Sequence, residues 1–135
     1  MSDETPSYVE EGGFERDMTY VPDRITRGGA KPEHGPVNGE LWPVEPGRYR
    51  LVAARACPWA NRAIIVRELL GLQDVISLGT PGPTHDAKSW TFDLDAGDKD
   101  PVLGIHWLRE AYDKRFPDYP RGITVPAIVD VPSGE

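Results

Sequence analysis

The chain has 135 residues, enough for one domain with a modest core and not for two large ones. Acids outnumber bases 22 to 15, for a net charge of −7, and no Lys/Arg cluster offsets the excess, so a surface that tracks nucleic-acid phosphates is not expected. A single cysteine excludes an internal disulfide, the polar start has no signal-peptide core, and no apolar run approaches the ~20 residues that span a bilayer. A cytoplasmic protein is expected.

Residues 1–47 carry 7 Gly and 6 Pro among scattered charges, without helical or strand periodicity. They read as an extended N-terminal arm, the alternative for residues 1–12 being a disordered leader, with Phe14, Leu41 and Trp42 as its few anchoring side chains. Gly28-Gly29 reads as a turn. From Arg48 the texture changes. Tyr49 to Ala54 is short and largely apolar, as in a strand covered on both faces.

That strand runs into Arg55-Ala56-Cys57-Pro58-Trp59-Ala60-Asn61-Arg62. Pro58 suits the first position of a helix, which makes Cys57 its N-cap. A sulfur there faces unpaired backbone N–H groups and the positive end of the helix dipole, both favouring thiolate over thiol. Arg55 and Arg62 flank it, and no carboxylate follows until Glu68. Cys57 is read as a nucleophile rather than a small buried hydrophobe.

Trp59, Ala63, Val66 and Leu70 recur at helical spacing, with Ile64, Ile65 and Leu69 widening the apolar face and Gly71 as the stop. Asp74 to Leu78 is a second strand, so strand, helix and strand form a crossover unit with parallel strands. Thr80 to Asp100 is an insert rich in Gly, Pro and Asp whose unusual feature is Trp90-Thr91-Phe92. Leu103, Trp107, Leu108, Ala111 and Tyr112 mark a second helix, capped at Asp100-Pro101 and ended by Phe116-Pro117. Gly122 to Val131 reads as a turn, an X-Pro bond and a third strand. His34, His85 and His106 lie too far apart in sequence for metal spacing, and no phosphate loop or nucleophile elbow is present.

Taken together, these residues resemble the glutathionyl-hydroquinone reductases, the xi-class, omega-like glutathione S-transferases. The resemblance rests on Phe14-Glu15-Arg16, Gly47-Arg48-Tyr49, Ala56-Cys57-Pro58-Trp59-Ala60 with Arg62, Gly71-Leu72 with Asp74-Val75-Ile76-Ser77, Trp90 with Phe92, and Thr124-Val125-Pro126. It implies an α/β, thioredoxin-like domain over 48–135, incomplete at its C-terminus, behind the arm of 1–47. It also implies a cis Val125–Pro126 bond opposite the cysteine, Cys57 as the catalytic thiol, Trp90 against glutathione, and the Val125 backbone paired with the cysteinyl part of glutathione. Glutathione is then the cosubstrate, with another low-molecular-weight thiol as the alternative, and no metal takes part.

Three departures from the family pattern stand out. The family's Gly-Arg appears here as Arg121-Gly122, which leaves a carboxylate-binding role for Arg121 unsupported. The family's His after Pro-Trp-Ala is Asn61. The chain stops at Glu135, before the last strand, before the Glu-Ser pair that holds the γ-glutamyl group, and before the all-helical domain that binds the quinone and makes most dimer contacts. A fragment is expected: the thiol-binding part of a reductase that acts on glutathionyl-hydroquinones through a cysteine mixed disulfide. The alternatives are a non-catalytic remnant that binds a thiol or a partner chain, and a glutaredoxin-like deglutathionylase.

Overall fold

The computed structural model describes residues 9–10, 13–14, 21–33, 39–83 and 89–135. His34, His85, Glu15, Arg16 and all of the leader except Val9–Glu10 lie outside the described residues. The chain divides into two compact units, one over Tyr8–Pro46 and one over Gly47–Glu135.

In the first unit, β1 (Val9–Glu10) pairs antiparallel with β2 (Gly13–Phe14), and β3 (Arg24–Thr26) pairs parallel with β4 (Leu41–Pro43). These strands are two or three residues long, too short for a period to register in the sequence. Asp23 ties the parallel pair together: its carboxylate accepts from the Glu40 N–H at 2.9 Å and from the Trp42 indole at 3.1 Å. Gly39 is required beside it, because a Cβ there would lie 2.5 Å from Asp23 Oδ1. Gly28 and Gly29 both take positive φ in a single 3-10 turn, in line with the turn expected there.

The second unit is built on β5 (Tyr49–Val52), α1 (Pro58–Leu69), β6 (Ile76–Gly79), α2 (Arg109–Arg115) and β7 (Ala127–Asp130). The sheet order is β6-β5-β7, with β5 parallel to β6 and antiparallel to β7. All four β5 residues are buried, Arg50 included, as the largely apolar run predicts for a central strand. Leu51 stands opposite Leu78 on one side and Ile128 on the other. The core continues through Val52, Ala60, Ile64, Phe92, Leu108, Ala111, Ile123, Val125 and Val129. This is an α/β arrangement consistent with an incomplete thioredoxin-like domain. The Val125–Pro126 bond is cis, as the resemblance implies.

Two expectations need correction. The buried face of α1 is Ala60 and Ile64, one turn apart, and not the stripe of Trp59, Val66 and Leu70. Trp59 is 58% exposed and Leu69 79%. Apolar side chains surround most of this helix, so spacing alone does not choose the face; the small Ala60 permits the close approach to the sheet.

The second helix begins at Arg109, not at Asp100-Pro101. Asp100 is fully buried, and its Oδ2 accepts from the Val102 and Leu103 N–H groups at 3.1 and 2.8 Å. Its backbone N–H donates to Ile105 and its carbonyl accepts from Gly104, which takes a φ of +70°. The segment is closed into a loop of its own, and no helix can propagate through it. Helix α2 is started instead by Ser89, whose Oγ accepts from the Arg109 N–H at 3.0 Å, and by Glu110, whose carboxylate reaches back to the His106 and Trp107 N–H groups.

Two ion pairs pin the sheet. Arg50, buried on β5, donates from Nη2 and Nε to Asp100 Oδ1 at 2.8 and 3.2 Å. At the end of β7, Arg48 pairs with Asp130, whose carboxylate also accepts from the Ser133 hydroxyl at 2.6 Å. Burial pushes the Asp130 pKa up, but the bonds from Arg48 and Ser133 outweigh it and hold the group below its ordinary value of 3.8.

Replacing Asp100 by Ala strands a buried guanidinium and two backbone donors. Denaturant unfolding of Asp100→Ala is expected to show a loss of about 3–5 kcal/mol, with part recovered when Arg50→Met is added. The lowered pKa of Asp130 means that its contribution is complete above about pH 3.8 and is lost as the pH falls through the folded-state value. Unfolding curves of wild type and Asp130→Asn should therefore differ at pH 6 and converge in the acid limb. Parallel curves at all pH values would contradict this.

Candidate thiol site

Cys57 sits where the chain leaves β5. Ala53 and Ala54 remain fully buried, the Cys57 N–H donates to the Ala54 carbonyl at 3.0 Å, and Cys57 takes extended backbone angles as N-cap of α1 with Pro58 as the first helical residue. Its carbonyl accepts the first helical bond, from Asn61 N–H, at 3.0 Å. This placement is the one that strand, cysteine and proline predict in sequence.

The sulfur does not cap the helix. It makes no hydrogen bond to the first-turn N–H groups, and Pro58 has none to offer. Its S–H donates instead to the Val125 carbonyl at 3.9 Å, across 68 residues of sequence. The flanking arginines are also placed differently from the linear reading. Arg55 is exposed, and the Arg62 guanidinium lies over the Trp59 ring, 4.7 Å from its centroid.

Val125 is buried and Pro126 follows it through the cis bond. Pro126 lines an open groove of about 430 Å³ with Trp59, Arg62, Ala63, Val66 and Ile128. The segment is held from α2 by Tyr112, whose hydroxyl donates to the Thr124 carbonyl at 3.0 Å and lies 3.4 Å from Thr124 Oγ1. Burial raises the pKa of that phenol above 10.0 against the opposing pull of the Thr124 contacts, so at neutral pH it is a donor.

Trp90 is half-buried against the core cluster that Cys57 also borders. Its carbonyl accepts from the Leu108 N–H at 3.0 Å, and its neighbour Thr91 bridges to Trp107. Phe92 is fully buried and fastens the insert to the core, the bland role an aromatic in a polar loop suggests. Arg121 is exposed at a bend ahead of Gly122. Of the residues named from sequence, the fold thus brings Cys57 and Val125 into contact and sets Trp90 on the same core. Sequence reasoning did not find Tyr112 as a support of the loop or Ser89 as the cap of α2. Tyr112 carried only its helical spacing as a signal, and Ser89 carried none.

Among the described residues, no group of three or more His, Cys, Asp and Glu could hold a metal ion, and no helix is long and apolar enough to cross a membrane.

No protein-family model matches the chain. Individual proteins do. A crystal structure of a glutathione transferase from Gordonia bronchialis is 71% identical, with a TM-score of 0.69 over 70% of this chain and 29% of that one. The xi glutathione S-transferase of Phanerochaete chrysosporium is 34% identical, with a TM-score of 0.70 over 92% of this chain and 37% of that one. The glutathionyl-hydroquinone reductase YqjG of Escherichia coli K-12 is 32% identical over 121 residues, 88% of this chain and 36% of YqjG. Its glutathione-bound structure superimposes with a TM-score of 0.68 at 31% identity, over 82% of this chain and 36% of that one. The chain spans about a third of the length of the curated relatives it matches. In both sequence and fold it corresponds to the N-terminal portion of the xi-class, omega-like glutathione transferases, the group that includes the glutathionyl-hydroquinone reductases.

Proposed function

We propose that this chain forms the thiol-binding, cysteine-bearing part of a glutathionyl-hydroquinone reductase. The observation that carries the reading is the Cys57–Val125 contact: a lone cysteine at a strand-to-helix turn, 3.9 Å from the backbone that precedes a cis-proline. YqjG, similar along most of this chain, has been seen with glutathione bound, which supports glutathione as the thiol here.

In this reading the Val125 backbone pairs with the cysteinyl part of glutathione, and Trp90 lies along the tripeptide. The Cys57 thiolate attacks the glutathione sulfur of a glutathionyl-hydroquinone. An S–S bond forms, the carbon–sulfur bond to the ring breaks, and the ring carbon takes up a proton as hydroquinone leaves. A second glutathione then attacks the mixed disulfide, releasing oxidised glutathione and the Cys57 thiolate. One cysteine is sufficient, because the resolving thiol is the second glutathione. Arg121, exposed and out of the family's order, is given no part in this scheme.

A second reading, thiol binding without turnover, is favoured by the open groove beside the site. Trp59 and Val66 are more than half exposed there, so among the described residues none covers the ring of an aromatic leaving group in that groove.

Two measurements decide between them. With a menadione–glutathione conjugate and excess glutathione, hydroquinone release is expected to fall at least a hundredfold in Cys57→Ser; equal release in both proteins would remove Cys57 from the chemistry. Glutathione at ten times its Kd should stabilise the chain by about 1.4 kcal/mol in thermal melts. Stabilisation without release selects the binding-only reading, and neither response rejects both.

A further inference from the structure

Three segments far apart in sequence are linked in series: the start of α1 to the 122–126 loop, and that loop to α2. The tie from α2 is Tyr112. Its ring packs on Tyr119, with centroids 5.0 Å apart, and its hydroxyl donates to the Thr124 carbonyl at 3.0 Å. The next carbonyl along the chain, that of Val125, accepts the Cys57 S–H. Adjacent carbonyls of one short segment are therefore held by two different elements, one by α2 and one by the cysteine.

We propose that Tyr112 is a positioning residue for thiol binding: by fixing the Thr124 carbonyl it sets the Val125 backbone against Cys57 and against an incoming cysteinyl group. The proposal rests on the functional reading above and adds to it the residue that holds the recognition backbone in register. The Tyr112 hydroxyl bonds to Thr124 and the Cys57 sulfur to Val125, so Tyr112 acts through the loop. Tyr112→Phe keeps the ring and its packing while removing the one donor. The Thr124 carbonyl then loses its tie to α2, which leaves the loop less firmly held against the sulfur.

The test uses the full 135-residue chain as wild type, Tyr112→Phe and Asp130→Asn, the last losing hydrogen bonds at the far end of β7. Calorimetry gives the Kd for glutathione, and mass spectrometry gives the rate of Cys57 alkylation by iodoacetamide, a neutral reagent. Tyr112→Phe is expected to weaken glutathione binding about three- to tenfold, and to speed alkylation at least threefold because the sulfur loses its fixed cover. Asp130→Asn should change neither, although both variants melt at lower temperature. The proposal is overturned if Tyr112→Phe leaves both quantities within twofold of wild type, or if Asp130→Asn shifts them equally. A wild-type chain that binds no glutathione rejects the functional reading. The alkylation ratio then still decides whether Tyr112 holds the Cys57–Val125 contact.

Discussion

A guanidinium and a carboxylate are buried together where the central strand meets the insert, and much of the second unit is arranged to make that tolerable. Arg50 belongs to β5, yet its charge is matched by Asp100, fifty residues on. Neither group can be left alone away from water, since an unpaired buried ion costs several kcal/mol. Asp100 consequently has each of its polar atoms occupied: one oxygen by Arg50, the other by two backbone N–H groups, and its own backbone by Ile105 and Gly104. Gly79 gives the pair room, since a Cβ there would sit 3.0 Å from both partners. The insert is thereby tied to the sheet at a defined point, and the strip carrying Trp90 and Phe92 is laid beside the loop that follows it.

The thiol site depends on that placement indirectly. Its two contacting residues, Cys57 and Val125, come from β5's exit and β7's entrance, and both lead directly out of a buried sheet. The third support, Tyr112, rides on α2, whose start is determined by the insert through Ser89 and Glu110. A change in how the insert packs would move α2, and with it the hydroxyl that holds Thr124. The site thus draws on three separate elements, and next to Pro126 the groove lined by Trp59, Arg62 and Val66 is open.

That openness also explains the character of α1. Ala60 and Ile64 face the core, whereas Trp59, Ile65, Val66, Leu69 and Leu70 remain substantially exposed. Arg62 covers part of the Trp59 ring, and the stem of Arg67 turns toward β6, where its guanidinium donates to the Ile76 carbonyl at 2.6 Å. Long basic side chains on an apolar helix provide partial cover of this kind.

What the linear pattern determined by itself was local. The apolar run of Tyr49 to Ala54 required a buried strand, Pro58 required a helix to begin there, and Gly71, with its positive φ, ended it. Those three constraints are short-range and steric, so the position of Cys57 as N-cap was legible without coordinates. The cis bond at Pro126 was legible only through family resemblance, because composition does not distinguish isomers. The tertiary structure decided what long-range partners control. It chose the Ala60–Ile64 face of α1, because several faces were apolar and only the sheet could select one. It delayed α2 to Arg109, because Asp100, paired with Arg50 of β5, closes its own segment into a loop. It turned the Cys57 sulfur away from the helix N–H groups and toward Val125, because a backbone carbonyl 68 residues away offered the acceptor. Contacts between distant residues leave no period or spacing in a sequence, since their energy is realised only once both chain segments are already in place.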